Sequence, residues 1–174
     1  NYRYGGFISS DYRKKVALDI SLNHRVFNEN NRNTFNIHVS PRWRVNNRLS
    51  FVYDTHYEDR VDDIGFVHYD FVGDTITLGR RNLQTISNTL SGVYKFTNKM
   101  SLSLRGRHYW SRATYYGYYN LEKDGSLTEY KHQDSHDVSF NAFNIDVVFF
   151  WQFAPGSELN IVYKNAVLKS ENAI

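Results

Sequence analysis

Cysteine is missing from all 174 residues, so neither a disulfide framework nor a thiolate metal site is open to this chain. Long apolar runs are missing too. None approaches the ~20 residues of a membrane-spanning helix, and mean hydropathy is −0.60. That excludes helical spans but not a transmembrane barrel, whose alternating strands average out polar. Proline occurs only twice, and no sustained helical periodicity is present. No leader segment opens the chain, since NYRYGGF already reads as strand, and a secreted protein is expected here in mature or partial form. A dominant sign of charge is also lacking. Lys and Arg number 21 against 18 Asp and Glu, a net charge of +3, too balanced to point to nucleic acid as a partner.

What is abundant is aromatic. Phe, Trp and Tyr make up 17% of the chain, with 14 Tyr and 12 Phe, and such side chains favour strands. In TFNIHVSPRWRV, Phe35, Ile37, Val39, Pro41, Trp43 and Val45 alternate with Thr34, Asn36, His38, Ser40, Arg42 and Arg44. Successive side chains of a strand point to opposite faces, so this is a strand with one oily and one wet side. The pattern recurs. Val16, Leu18, Ile20, Leu22 and Val26 alternate with Asp19, Ser21, Asn23 and Arg25, and Leu49, Phe51, Tyr53 and Tyr57 with Ser50, Asp54, His56 and Glu58. Ile86 to Phe96 repeats it with Asn88 interrupting the oily side, and Met100 to Trp110 repeats it with Arg105 and Arg107 on the wet side. Phe143, Ile145, Val147, Phe149, Trp151 and Phe153 form the longest oily series, and Leu159, Ile161 and Tyr163 the last. With the opening segment this predicts about eight strands, most near the ~9–11 residues that cross a bilayer as a tilted strand.

The connections alternate between short and long. SSDYR, NN, TNK and APGS read as tight turns, and between them lie Asn28 to Asn33, Asp59 to about Leu83, and Arg112 to Asp137. Within the last of these, Asp124-Gly125 reads as a hairpin tip, with TYYGYYN and SLTEYKH as continuing arms. Short turns on one side and long loops on the other are the asymmetry of outer-membrane barrels. Trp43, Phe51, Tyr94, Phe96, Trp151 and Phe153 gather beside the short turns, as interfacial aromatic girdles do.

The sequence therefore predicts an all-β, antiparallel, up-and-down transmembrane β-barrel segment as one unit over 1–174. Ile37, Trp43, Leu104, Phe149 and Trp151 are expected to face lipid. Arg25, His38, Arg42, Asp54, His56, Arg105, Arg107 and Asp146 are expected to line a lumen. Counting strand directions puts both chain ends outside, so the expectation is part of a larger barrel. The inverted alternative is a soluble barrel with its oily side inward.

Two stretches, LGRRNLQTISNTLSGVYKFTNKMSLSLRGRHYWS (Leu78 to Ser111) and FNIDVVFFWQFAPGSELNIVYKN (Phe143 to Asn165), carry a resemblance. They are similar to the C-terminal region of a Bacteroidetes outer-membrane family, domain of unknown function 5916. The likeness is well marked in the second half of the chain and is one of pattern in the first. It implies the last part of a long barrel, a bacterial outer-membrane location and a link to glycan handling, because a carbohydrate-binding module commonly precedes this region. It implies no catalytic residues.

Several clusters carry ligand-capable or reactive side chains. His132, Asp134, His136 and Asp137 (HQDSHD) would share a face only in part, and a solvated loop outweighs a metal site there. His38 with Arg42, and Asp54 with His56 and Glu58, are read as wall lining ahead of a catalytic dyad. Arg80 and Arg81 could hold an anionic sugar or phosphate, but a charged loop neutralised by neighbours such as Asp74 is the stronger reading. Tyr115 to Tyr119 (YYGYY) suits an extended strand more than a sugar platform. Three functions follow in order: an outer-membrane barrel for passage, anchoring or surface presentation; a hydrolase built into such a barrel; and a soluble lipocalin-like binding barrel. The first implies no metal or other cofactor and no enzyme activity. Its partners would be membrane lipid and lipopolysaccharide, with glycans or other outer-membrane proteins as further candidates.

Overall fold

The computed structural model describes residues 1–29, 31–131 and 136–172. They form nine strands: β1 (Tyr2–Ser9), β2 (Val16–Val26), β3 (Asn33–Arg44), β4 (Leu49–Asp70), β5 (Thr75–Thr97), β6 (Met100–Leu121), β7 (Leu127–Glu129), β8 (Val138–Ala154) and β9 (Ser157–Asn172). Every pairing is antiparallel, in the order β1-β2-β3-β4-β5-β6-β8-β9, with β7 pairing β6 off that path. The protein is thus an all-β, up-and-down antiparallel sheet, open between β1 and β9. Among the described residues no helix is long and apolar enough to cross a membrane.

Side-chain chemistry sets the turns. Asn46 Oδ1 accepts the amides of Arg48 (2.8 Å) and Leu49 (2.9 Å), closing the connection from β3 to β4. Thr97 Oγ1 accepts the Lys99 amide at 3.1 Å between β5 and β6. Between β8 and β9, Pro155 is followed by Gly156 at a φ of 74°, a backbone position that disfavours any Cβ.

Two expected long connections are strands. The stretch from Asp59 to Leu83 holds only the four-residue link 71–74, and β6 continues unbroken to Leu121. In these extensions apolar and charged residues share a side, with Phe66 opposite Leu78 but Ile64 opposite Arg80, and bulges shift the period, so the alternation that reveals the other strands is broken. Backbone pairing continues with irregularities between Arg60 and Asp63, Phe66 and His68, and Arg80 and Arg81. Among the described residues of the SLTEYKH arm only Leu127–Glu129 is strand, with Gly125 at a φ of 84° in the tip.

Among the described residues no large side chain is fully buried. The buried apolar residues are Ala17, Ala113 and Ala142, and Ser40 is 3% exposed. All four lie on the wet side of the sheet by register. On the other side Leu104 is 42% exposed and Trp43 53%. The buried positions are small residues covered by larger neighbours, and large side chains stand half exposed on both faces, with Arg42 and Asp54 as open as Leu104.

Because Gly156 has a positive φ and open space around it, Gly156→Ala is expected to cost about 1 kcal/mol from backbone strain alone. Gly106, also in open space but at an ordinary φ, should tolerate alanine without loss. Urea unfolding of the two variants reads the difference.

Candidate functional site: the polar face and the ion cluster beyond it

The register brings all eight wet-side candidates to one face. Arg25 pairs Thr34, His38 pairs His56, Arg42 pairs Val52, Asp54 pairs Thr89, Arg107 pairs Thr89 and Asn144, and Arg105 pairs Ser91 and Asp146. Ile37, Trp43, Leu104, Phe149 and Trp151 lie on the opposite face. Period two along each strand, with no slip between Asn33 and Arg60 or between Thr85 and Lys95, produces this segregation.

On the polar face the charges are mostly matched. His38 Nε2–H donates to Asp54 Oδ2 at 2.9 Å, and the His56 ring stands 6.4 Å from that of His38. Asp19 accepts Ser9 Oγ–H at 2.5 Å and the Tyr12 hydroxyl, with Arg42 Nε 3.7 Å away. Arg107 Nη2, rather than the directly facing Arg105, pairs Asp146 at 2.8 Å. The His38–Asp54 pair supplies a base and an orienting carboxylate. Among the described residues no serine or threonine hydroxyl is hydrogen-bonded to His38.

Beyond the alternating part of the strands lies an ion cluster. Asp62, 6% exposed and at a φ of 57°, sits in the irregularity between Arg60 and Asp63, where the extra backbone re-aims its side chain. Its carboxylate accepts Arg80 Nη1–H at 2.5 Å and the Tyr116 hydroxyl, and its amide donates to Asn82 Oδ1 at 3.1 Å. Arg80 also reaches Glu29 at 3.3 Å. A parallel set joins Arg81 to Asp63 (3.3 Å) and to the Tyr115 hydroxyl (2.7 Å), with Arg32 bridging Glu29 (2.8 Å) and Asp63 (4.0 Å). Arg80 and Arg81 are therefore neutralised, by Asp62, Glu29 and Asp63 rather than by Asp74, whose Oδ1 instead accepts the Tyr69 hydroxyl at 2.5 Å.

The tyrosine run is absorbed by the same cluster. Tyr115 and Tyr118 stack at 6.0 Å with 6° between planes, and the His136 ring meets Tyr118 edge-on at 5.7 Å. Asp137 Oδ1 accepts the Tyr115 amide at 2.6 Å. His132 and Asp134 of the suspected metal cluster lie outside the described residues. Among those described, no three His, Asp or Glu side chains are placed to share a cation.

Sequence reasoning missed Asp62 as a centre. The only signal was two adjacent aspartates in a stretch without alternation. It also missed the hydrogen-bonded chain behind the noted Asn88 interruption. Tyr53 (2.7 Å) and Thr55 (2.8 Å) donate to Asn88 Oδ1, Asn88 Nδ2 lies 3.4 Å from His108 Nδ1, and His108 Nε2 lies 3.1 Å from Asn141 Oδ1. The chain spans four strands on the otherwise oily face.

The class these features define is a two-faced antiparallel meander, charged on one face and apolar on the other. The chain belongs to the family described as domain of unknown function 5916, whose model matches residues 1–174, the first half included. No curated protein and no solved structure matches it.

Desolvation, reinforced by the Asp62 carboxylate to which it donates, pushes the Tyr116 phenol up to about 12. Its native pKa lies above the unfolded value of about 10, so its stabilising contribution is complete below pH ~10 and fades as pH rises through 12. In alkaline absorbance titrations, Tyr116→Phe should remove one late-ionising phenol. Asp62→Asn should bring that phenol back toward the ordinary tyrosines.

Proposed function

We propose that the chain is a segment of a bacterial outer-membrane β-barrel, its apolar face toward lipid and its charged face toward the lumen. The observation that carries the reading is an apolar band of barrel-crossing length on one face of strand after strand. It runs over Phe35–Trp43, Leu49–Tyr57, Ile86–Phe96, Met100–Trp110, Phe143–Phe153 and Leu159–Val167. A tilted strand needs ~9–11 residues to cross the hydrocarbon. Aromatic pairs stand at the turn-side margin: Trp43–Phe51 at 6.1 Å, Tyr94–Phe96 at 4.8 Å and Trp151–Phe153 at 5.7 Å. Exposed apolar side chains in that number suit lipid rather than water.

The polar interruptions in the band fit the same environment. Asn88 Nδ2 stands 3.4 Å from His108 Nδ1 and His108 Nε2 3.1 Å from Asn141 Oδ1, so each polar group in the band has a partner on the next strand. Polar groups that satisfy one another can face hydrocarbon at far lower cost than lone ones. Beyond the band, Thr75 to Thr85 alone adds roughly 35 Å of strand at ~3.3 Å per residue, so β4, β5 and β6 project as a ribbon on the side away from the short turns. In this reading the ribbon stands outside the cell, among lipopolysaccharide and surface glycans, and the role is passage or surface presentation. A second reading, a hydrolase built into the wall, rests on the His38–Asp54 pair.

Leu104→Arg should destabilise the bilayer-inserted protein by about 2–4 kcal/mol. Ser103→Arg, one residue along on the charged face, should be tolerated. Urea unfolding from phospholipid vesicles measures both, and equal costs at the two positions would remove the membrane orientation.

A further inference from the structure

A hollow of about 570 Å³ opens on the charged face where β1 to β4 lie side by side. One row across these strands reads Arg3, Arg25, Thr34, Arg60, each directly opposite the next. The row beside it supplies Asn23, Asn36 and Glu58. Glu58 is taken by Arg60 at 2.9 Å, and the hollow's other acid, Asp63, by Arg81 at 3.3 Å and Arg32 at 4.0 Å. Arg3 and Arg25 are left as a directly opposed like-charge pair, an arrangement that costs stability unless an anion sits between the two. Among the described residues no carboxylate pairs with either of them.

Arg25 is also held in place. Its guanidinium lies 4.4 Å from the Phe27 ring centre, Arg32 lies at the same distance from that ring, and Arg25 Nε–H donates to Asn1 Oδ1 at 3.1 Å. A guanidinium fixed by ring stacking and one hydrogen bond keeps its remaining N–H groups available, and these match the bidentate geometry of an oxyanion. The Thr34 hydroxyl and the Asn23 and Asn36 carboxamides line the same hollow, next to where such an anion would sit. Each can both donate and accept, which suits hydroxyl groups attached to it.

We infer that this hollow binds the oxyanion group, phosphate or carboxylate, of a small hydroxyl-bearing solute, with Arg3 and Arg25 as the binding pair. The inference rests on the reading of this face as a lumen wall, where it would act as a selectivity station for anionic cargo. The test uses the full-length protein in detergent micelles, titrated calorimetrically with inorganic pyrophosphate at low salt, with glucose as the neutral probe. Pyrophosphate should bind and glucose should bind more weakly, with affinity falling as salt rises. Arg3→Gln and Arg25→Gln should each weaken pyrophosphate binding at least about tenfold, as expected for loss of a charge-assisted contact. Arg25→Lys, which keeps the charge and loses the fork, should fall between, and guards against a glutamine variant that fails to fold. Arg13→Gln, at the turn before β2, should match the parent. Equal affinity in Arg3→Gln, Arg25→Gln and the parent, or no binding by the parent, would overturn the site. A parallel conductance measurement in planar bilayers separates the two readings. Binding in micelles without channels supports the site and removes the lumen. Channels that pyrophosphate neither blocks nor binds keep the lumen and remove the site.

Discussion

Everything in this sheet depends on register. Side chains alternate with a period of two, so a slip of one residue between any pair of strands would carry Ile37 or Leu104 to the charged face and Arg42 or Arg105 to the apolar one. The short turns hold the register. Asn46 accepts two successive amides across the link from β3 to β4, Thr97 caps the next turn, and Gly156 adopts the backbone shape that the last one needs. Local turn chemistry therefore decides which side chains share a face.

Two kinds of polar organisation coexist. Within the apolar bands, the chain from Tyr53 and Thr55 through Asn88 and His108 to Asn141 links four strands without a carboxylate or a guanidinium. Beyond the bands the strands are held by ions: Arg80 with Asp62 and Glu29, Arg81 with Asp63, Arg32 between Glu29 and Asp63. Exposed pairs of this kind are each worth little, but a network around a nearly buried carboxylate fixes geometry. This division follows the medium each part is proposed to occupy. Neutral hydrogen bonds suit hydrocarbon, and ion pairs suit the wet ribbon.

The alternating strands and the chemistry of their two faces were legible in the sequence, because period-two patterning records directly which residues share a face of a sheet. Ile37 and Arg42 could be assigned to opposite faces from that pattern alone. The extended end of β6 was legible as the TYYGYYN arm, but the extended ends of β4 and β5 were not. From Asp59 to Leu83 charged residues interrupt the apolar ones on each side and bulges shift the period, so the stretch reads as loop although the backbone pairing continues. Asp62 was hidden for a related reason. Its importance comes from a bulge and from Tyr116, far along the chain, and no local pattern announces either. The opposition of Arg3 and Arg25 likewise needs the register of β1 against β2, which the turn composition suggested without fixing.

Each principal strand pairs with the principal strand immediately before it in the chain, with only β7 set beside this path. No strand waits for a distant partner, so contact order is low for an all-β protein of this length and loop closure is cheap at every step. Assembly can advance as a zipper, hairpin upon hairpin, each new strand finding a ready template in the one already laid down. Such a chain is suited to delivery in an extended form and to folding at the place where it is released.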